Sequence, residues 1–122
     1  GDIEFAMVNA GIGCLNLFFS GVEPLAQTVR KNLFYRKRME SYNQHSGFLL
    51  MHFVLQMIFN LMGQCDNPLI LTGAITNETT HIADAVAERN AASLLGFHLC
   101  KVFLLYMLGH PEKAVIHALA CA

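Results

Sequence analysis

Apolar residues recur along this chain three or four positions apart, the spacing of one face of an α-helix, and they nowhere alternate as in a half-buried strand. Clusters of glycine, proline, serine and asparagine divide the pattern into segments. The pattern predicts six helices, the first of which begins after an N-cap at Asp2 and runs to Phe19. The other predicted helices cover residues 23–42, 44–62, 77–88, 90–108 and 111–122.

Three long apolar helices are each followed by a glycine, at intervals of roughly 45 residues, which is a repeat signal. These glycines are Gly21, Gly63 and Gly109. Glycine readily adopts the left-handed conformation that ends one helix and lets the next fold back. Ala26 and Ala114 stand five residues after the first and third glycines, and we expect these small residues to let the following helix approach closely. The sequence therefore predicts an all-α stack of antiparallel helix pairs with these five residues as structural positions.

Composition places the chain among folded domains. Hydrophobic residues make up 54% and charged residues 14%, against roughly 25% charged in an ordinary soluble domain. Such a chain has ample apolar surface to offset the entropy of ordering, which excludes intrinsic disorder. With 122 residues we expect one domain, residues 1–122, too short for two cores. The few charges suggest that a second copy or the rest of a longer chain covers part of the surface.

Charge and hydropathy exclude two further classes of protein. The net charge is -1, so no overall field recruits nucleic acid or an anionic membrane. The apolar stretches at residues 47–63 and 91–109 carry polar residues and are shorter than the roughly 20 apolar residues of a spanning helix. We therefore expect helices of a bundle and no membrane span.

Four cysteines lie far apart with no Cys-x-x-Cys pair, which argues against a zinc knuckle or a redox motif. Well-spaced thiols in a protein of this size are typical of small buried side chains in a reducing compartment. No basic and apolar leader precedes Asp2. These features favour a cytoplasmic location. The cysteines are Cys14, Cys65, Cys100 and Cys121.

The last repeat unit resembles the turn and second helix of a tetratricopeptide repeat. In that repeat a glycine closes the first helix, and alanines five and twelve residues later line the contact between helices. Here Gly109 is followed by Ala114 at the first of those positions, while Cys121 occupies the second. This resemblance implies a tetratricopeptide-like α-α superhelix.

Nearly the whole chain looks like a helical segment of the predicted-ATPase multi-kinases and hybrid histidine kinases. Those large signalling proteins join a protein-kinase-like region, an AAA/STAND-type ATPase, a tetratricopeptide-like array, a GAF domain and a histidine kinase or cyclase. The matching motifs are DIEFA at 2–6, LFFSG at 17–21, LMG at 61–63, PLILTG at 68–73 and GHPEKA at 109–114. The resemblance implies that the chain is an internal fragment of the array and carries none of the family's catalytic residues.

We therefore expect a non-catalytic interaction or scaffold segment that passes conformational signals between other domains, without a cofactor or metal. No serine lies in a Gly-x-Ser-x-Gly setting, and Gly11 and Gly13 fall within a helical pattern without a phosphate-loop lysine. The expected partner is another protein or a neighbouring domain of the same chain, with a homodimer as one arrangement.

A basic stretch supplies the alternative function. Residues 30–38 hold five of the eight basic residues together with two aromatic ones, a pairing that can bind phosphates and stack bases. The chain would then be a self-contained dimeric adaptor for an acidic partner or, less favoured, nucleic acid. The ordinary interpretation is a solvated basic face whose aromatic residues are anchored between helices. The candidate binding residues are Arg30, Phe34, Tyr35, Arg36, Lys37 and Arg38.

Two polar patterns remain. Glu78 and His81 form one Glu-x-x-His motif, which di-iron bundles use twice with further carboxylates. A favourable acidic residue at a helix start is the simpler interpretation. His52, Gln56 and Asn60 form a polar line, either a buried polar network or ligand contact, or a helix face turned to solvent or to a hydrogen-bonded seam between helices. We favour the second.

Overall fold

The computed structural model describes residues 6, 9, 12–13, 16–41 and 45–121, with the side chains of all of these except residues 39 and 45–50. Every regular element in this described part is helical, which confirms the all-α prediction. The first helix, α1, includes residues 16–20, and residues 6, 9 and 12–13 are also helical. The later helices are α2 (Leu25–Ser41), α3 (His45–Leu61), α4 (Glu78–Ala87), α5 (Ala91–Met107) and α6 (Pro111–Ala120).

Short-range chemistry sets where the last three helices begin. The side-chain oxygen of Asn77 accepts a hydrogen bond from the backbone of Thr80 at 3.2 Å, and that of Asn90 accepts one from Ser93 at 3.0 Å. These bonds satisfy N–H groups that have no partner within the helix. Pro111 stands in the first turn of α6, where a missing N–H is harmless.

The three repeat glycines end their helices as expected. Gly21, Gly63 and Gly109 have φ angles of 64°, 77° and 85°, in the left-handed region. After α5, the backbone N–H of His110 donates to Leu105 O at 2.8 Å and that of Gly109 to Tyr106 O at 3.2 Å. This pair of bonds is the Schellman motif, which satisfies the last carbonyls of a helix.

Consecutive helices pack antiparallel. His98, near the start of α5, contacts His117, near the end of α6. Arg36, in the second half of α2, contacts His52, in the first half of α3. A connector of a few residues between α5 and α6 leaves no other arrangement.

Aromatic rings connect the long helices. The rings of Phe53, in the middle of α3, and Phe97, in the first half of α5, lie 5.2 Å apart. Phe18 at the end of α1 lies 5.3 Å from Phe103 in the second half of α5. These contacts do not contradict a helical-repeat arrangement.

The hydrophobic core lies around α3 and α5. Helix α3 packs against α2, α4 and α5, while α5 packs against α3, α4 and α6. A helix covered on several sides buries apolar residues around most of its surface, which explains the weak polar face of both sequences. The buried core consists of Phe18, Val29, Phe53, Val54, Leu55, Met57, Ile58, Leu71, Phe97, Cys100 and Leu104.

One of the two expected small-residue contacts is wrong. Ala114 is buried, as expected for a helix that approaches α5 closely. Ala26 is exposed, because α2 buries a different face, that of Thr28, Val29 and Asn32. The five-residue interval after Gly21 therefore does not place a packing residue.

Candidate functional site

The polar line on α3 is buried and holds the connector between α3 and α4. Gln56 has no exposed surface and donates from Nε2 to Asn60 Oδ1 at 2.8 Å. Asn60 Nδ2 donates to the backbone oxygens of Pro68 at 3.2 Å and Ile70 at 2.8 Å. Gln56 Oε1 accepts from the backbone N–H of Ile75 at 3.1 Å. The line is thus a buried polar network along the seam between α3 and the connector, and the favoured expectation of a solvent-facing or interhelix face is wrong.

Gly73 lets this connector lie against α3. A Cβ atom added there would come within 2.7 Å of Gln56 Nε2, closer than real Cβ contacts allow. The absence of a side chain at this position is therefore a requirement of the close approach.

The Glu-x-x-His motif also serves the fold. Glu78 Oε2 accepts from the backbone N–H of Leu71 at 2.7 Å and lies 3.2 Å from Lys101 Nζ. His81 Nδ1 contacts Thr76 Oγ1 on the connector. In the described part of the chain, no three His, Cys, Asp or Glu side chains lie close enough together to hold a metal ion.

Two histidines meet where α5 and α6 pack. His98 Nδ1 and His117 Nδ1 are 3.0 Å apart, so one ring donates a proton and the other accepts it. Burial lowers the pKa of His117 below its usual value of 6.5, and the nearby positive charge of Lys101 and the ring of His98 lower it further. Glu78 acts in the opposite direction. The contact therefore favours a neutral His117.

This contact predicts that the protein loses stability as the pH falls. The pKa values of His117 and His81 are both lowered on folding, each mainly by burial. Below about pH 6.5 the unfolded chain binds protons that the folded chain does not. The free energy of the unfolded state therefore falls relative to that of the native state. We expect urea unfolding to give a free energy of unfolding that decreases as the pH falls below about 6.5.

His117→Gln, which keeps a polar side chain but cannot titrate, should show a shallower decrease over the same range. Equal slopes for the variant and the parent would contradict this account of the α5–α6 contact.

The candidate basic stretch is divided by the fold. Arg30, Lys37 and Arg38 are exposed on α2, whereas Tyr35 and Arg36 are half-buried. The guanidinium carbon of Arg38 lies 5.3 Å from the centre of the Phe34 ring, within cation–π range. Arg36 instead turns towards α3 and donates from Nε to His52 Nε2 at 3.2 Å.

The expectation that the aromatic residues of this stretch are anchored between helices is wrong for Phe34. Its side chain is 57% exposed, because the buried face of α2 is formed by the turn around Thr28 and Asn32. The centre of its ring lies 5.4 Å from that of Tyr35. An exposed aromatic ring beside exposed cations can contact a ligand.

A second exposed surface was not expected from the sequence. An apolar groove of about 260 Å³ lies where α1 meets α5. Phe19 and Phe103 pack edge-to-face, 5.0 Å apart, while Leu99 and Tyr106 remain exposed. We call this surface the α1–α5 groove. Its lining residues are Phe19, Leu99, Val102, Phe103 and Tyr106.

One signal in the sequence could have indicated this groove. Helix α5 carries apolar residues almost all the way round, and in a small domain even a helix with several neighbours keeps part of its surface in solvent. Leu95, Leu99, Val102 and Tyr106 form a second apolar row beside the buried one. An assignment of every apolar residue of α5 to the core overlooks this row.

The thiols show no disulfide in the described part of the chain. Cys65, Cys100 and Cys121 are free, and Cys14 lies outside the described residues. Burial raises the pKa of the Cys100 thiol to about 12, so that it stays protonated and acts as a small core side chain. Cys121 is half-buried at the end of α6.

Within the described residues, every helix is too short or too polar to cross a membrane. Comparison of the chain with protein-family models, with curated proteins and with solved structures gave no significant match.

Proposed function

We propose that this chain is a non-catalytic helical-repeat interaction segment, and that its partner presents an amphipathic helix to the α1–α5 groove. The multidomain signalling proteins that the sequence resembles provide a setting for such a segment between other domains. The observation that carries the proposal is the exposed apolar row on α5 beside Phe19.

The dimensions of the groove fit a helix. Leu99, Val102 and Tyr106 in the groove follow one another at intervals of three and four residues on one face of α5, and exposed Leu95, four residues before Leu99, extends this row beyond the groove lining. With a rise of 1.5 Å per residue, this row is roughly 16 Å long, about three helical turns. Helix-in-groove recognition uses the same spacing for the anchoring side chains of the partner. A volume of about 260 Å³ has room for a large apolar anchor.

The chemistry of the groove also selects the partner. None of its lining residues carries a charge, so it offers nothing to a phosphate or a carboxylate. Tyr106 is 68% exposed and Leu99 40%, and covering them would contribute about 25 cal/mol for each Å² of apolar surface removed from water. An apolar helix face is therefore the matching surface.

The proposal predicts that a charge in the groove abolishes binding of a helix. The probe is a designed 18-residue amphipathic peptide with leucines at i, i+4, i+7 and i+11 and a neutral net charge, labelled for fluorescence anisotropy. Tyr106→Glu should weaken binding by about tenfold or more, because a buried charge without a partner is costly.

Val86→Glu is the matched control. Val86 is 59% exposed on α4 and lies outside the groove, so this variant adds the same charge and should bind like the parent. Equal affinities for the two glutamate variants would contradict the proposal.

The second candidate function is binding of an acidic partner or nucleic acid through α2 in a self-contained dimeric adaptor. The observation that favours it is the exposed Phe34 ring beside Arg38. Binding of this kind weakens steeply with salt, whereas burial of an apolar helix does not. The salt dependence of affinity therefore distinguishes the two functions, and alanine at Arg30, Lys37 and Arg38 tests the second while leaving the Arg36–His52 contact intact.

A further inference from the structure

A second cavity lies on the opposite side of α5 and is unlike the α1–α5 groove in its chemistry. It has a volume of about 480 Å³, within the range of sites that hold small molecules. The connector, α5 and α6 form its walls, and we call it the α5–α6 pocket. It is lined by Asn67, Leu69, Ile70, Lys101, Leu105, Lys113, Ile116 and His117.

We propose that the α5–α6 pocket binds a small amphiphilic anion, with a carboxylate head group at Lys113 and His117 and an aliphatic tail along its leucine and isoleucine side chains. This site is separate from the groove to which the proposed function assigns a partner helix.

The first support is a buried cation that forms part of the wall. Lys101 is 6% exposed, and its Nζ donates to Leu69 O at 2.6 Å and lies 3.2 Å from Glu78 Oε2. Such contacts fix the position of a flexible side chain, so an anion does not have to order it. Glu78 Oε1 lies a further 3.4 Å from this Nζ, so all three N–H groups of the ammonium have acceptors within the protein. Lys101 therefore contributes a fixed positive charge to the wall of the pocket, and the donors for a ligand come from Lys113 and His117.

The second support is the charge balance of the lining. Lys113 is exposed at the opening, and no acidic side chain among the described residues lies within ion-pair distance of it. No carboxylate lines the pocket. Glu78 offsets Lys101, so Lys113 leaves the site with a net positive charge, which attracts an anion and repels a cation.

His117 adds a donor that adjusts to the ligand. Its Nδ1 is engaged with His98, and when that atom accepts the shared proton, Nε2 carries the ring N–H. The positive charge of Lys101 lowers the pKa of His117. A bound anion would oppose that effect and stabilise a ring N–H donor beside it.

The apolar half of the pocket would bind the aliphatic tail of the ligand. Leu69, Ile70, Leu105 and Ile116 form this part, and Ile116 is 68% exposed. An aliphatic chain laid over these residues removes apolar surface from water, whereas an inorganic anion does not. The combination therefore favours a carboxylate with a hydrocarbon tail over free phosphate.

The test uses isothermal titration calorimetry. The full chain is titrated in separate experiments with octanoate, 1-octanol, octylammonium and inorganic phosphate. We expect octanoate to bind about tenfold or more tightly than the other three, since one charge-assisted contact corresponds to about a tenfold change in affinity. Lys113→Met, which keeps an aliphatic side chain, should weaken octanoate by about tenfold.

Arg89→Met is the matched control, because it removes one exposed positive charge outside the pocket and should leave octanoate binding unchanged. Asn67→Asp is a second variant: its oxygen can still accept the bond from Leu69 N, but its charge should weaken octanoate and leave octanol unaffected. Circular dichroism of each variant checks that it folds.

Several results would overturn the proposal. These are no binding of octanoate up to its solubility limit, equal affinities for octanoate, octanol and octylammonium, or equal losses for Lys113→Met and Arg89→Met. Tighter binding of phosphate than of octanoate would equally overturn it. None of these results bears on the helix-binding test, because Tyr106 lies outside this pocket.

Discussion

Gln56→Leu is expected to lower the free energy of unfolding by about 3 kcal/mol, a large part of the stability of a small domain. The side chain has no exposed surface and joins α3 to the connector through Asn60 and the backbone of Ile75. Leucine fills a similar volume but accepts and donates nothing. The Ile75 N–H and the Asn60 side-chain oxygen would lose their partners where water has little access, and each such loss costs about 1–3 kcal/mol.

Urea unfolding followed by circular dichroism measures this effect. Gln27→Leu is the matched control, because Gln27 is exposed on α2 and surface changes of this kind usually stay within about 0.5 kcal/mol. If the two variants unfold at the same urea concentration, the buried seam does not stabilise the connector.

Gly109→Val is the second change with a large expected effect, a loss of about 2 kcal/mol. Gly109 has a φ angle of 85°, where side chains with a Cβ are strained by about 1–2 kcal/mol and β-branched ones are the least tolerated. A Cβ atom built at this position meets nothing within 4 Å. The whole effect would therefore come from backbone conformation and none from a clash.

Because backbone strain is the expected cause, the control is a residue that tolerates the left-handed conformation. Asparagine tolerates the left-handed conformation better than any other residue with a side chain of its size, so Gly109→Asn should lose about 1 kcal/mol or less. Thermal melts of the parent and the two variants measure the order of their stabilities. A valine variant that melts no lower than the parent would show that the turn before α6 can adopt another conformation.

Local patterns predicted the helices well because each boundary depends on a few neighbouring residues. The described bounds of α2 to α6 differ from the predicted ones by no more than two residues. The glycines at 21, 63 and 109 were identifiable because a left-handed turn is a property of the residue itself. Ala26 shows the limit of this reasoning, since the same five-residue spacing that buries Ala114 leaves Ala26 exposed.

The candidate sites depended on contacts between residues far apart in the chain. Gln56 and Asn60 were visible as a polar line, but the connector residues that they bind lie 8 to 19 positions further along the chain, beyond the reach of a helical period. In the sequence Lys101 is a single charge in an apolar helix. In the fold it forms an ion pair with Glu78 and a hydrogen bond with the backbone of Leu69. The helical periodicity of apolar residues does not encode such contacts between different elements.

The sequence by itself determined the all-α class, the helix boundaries and the glycine turns, because propensities, caps and backbone conformation act over a few residues. The tertiary structure alone decided which apolar faces are covered. It buries the polar line of α3, leaves Phe34 and Tyr106 exposed, and brings Lys101, Lys113 and His117 around one pocket. The physical reason is that burial depends on which helix packs against which face, and this depends on the packing of the entire chain.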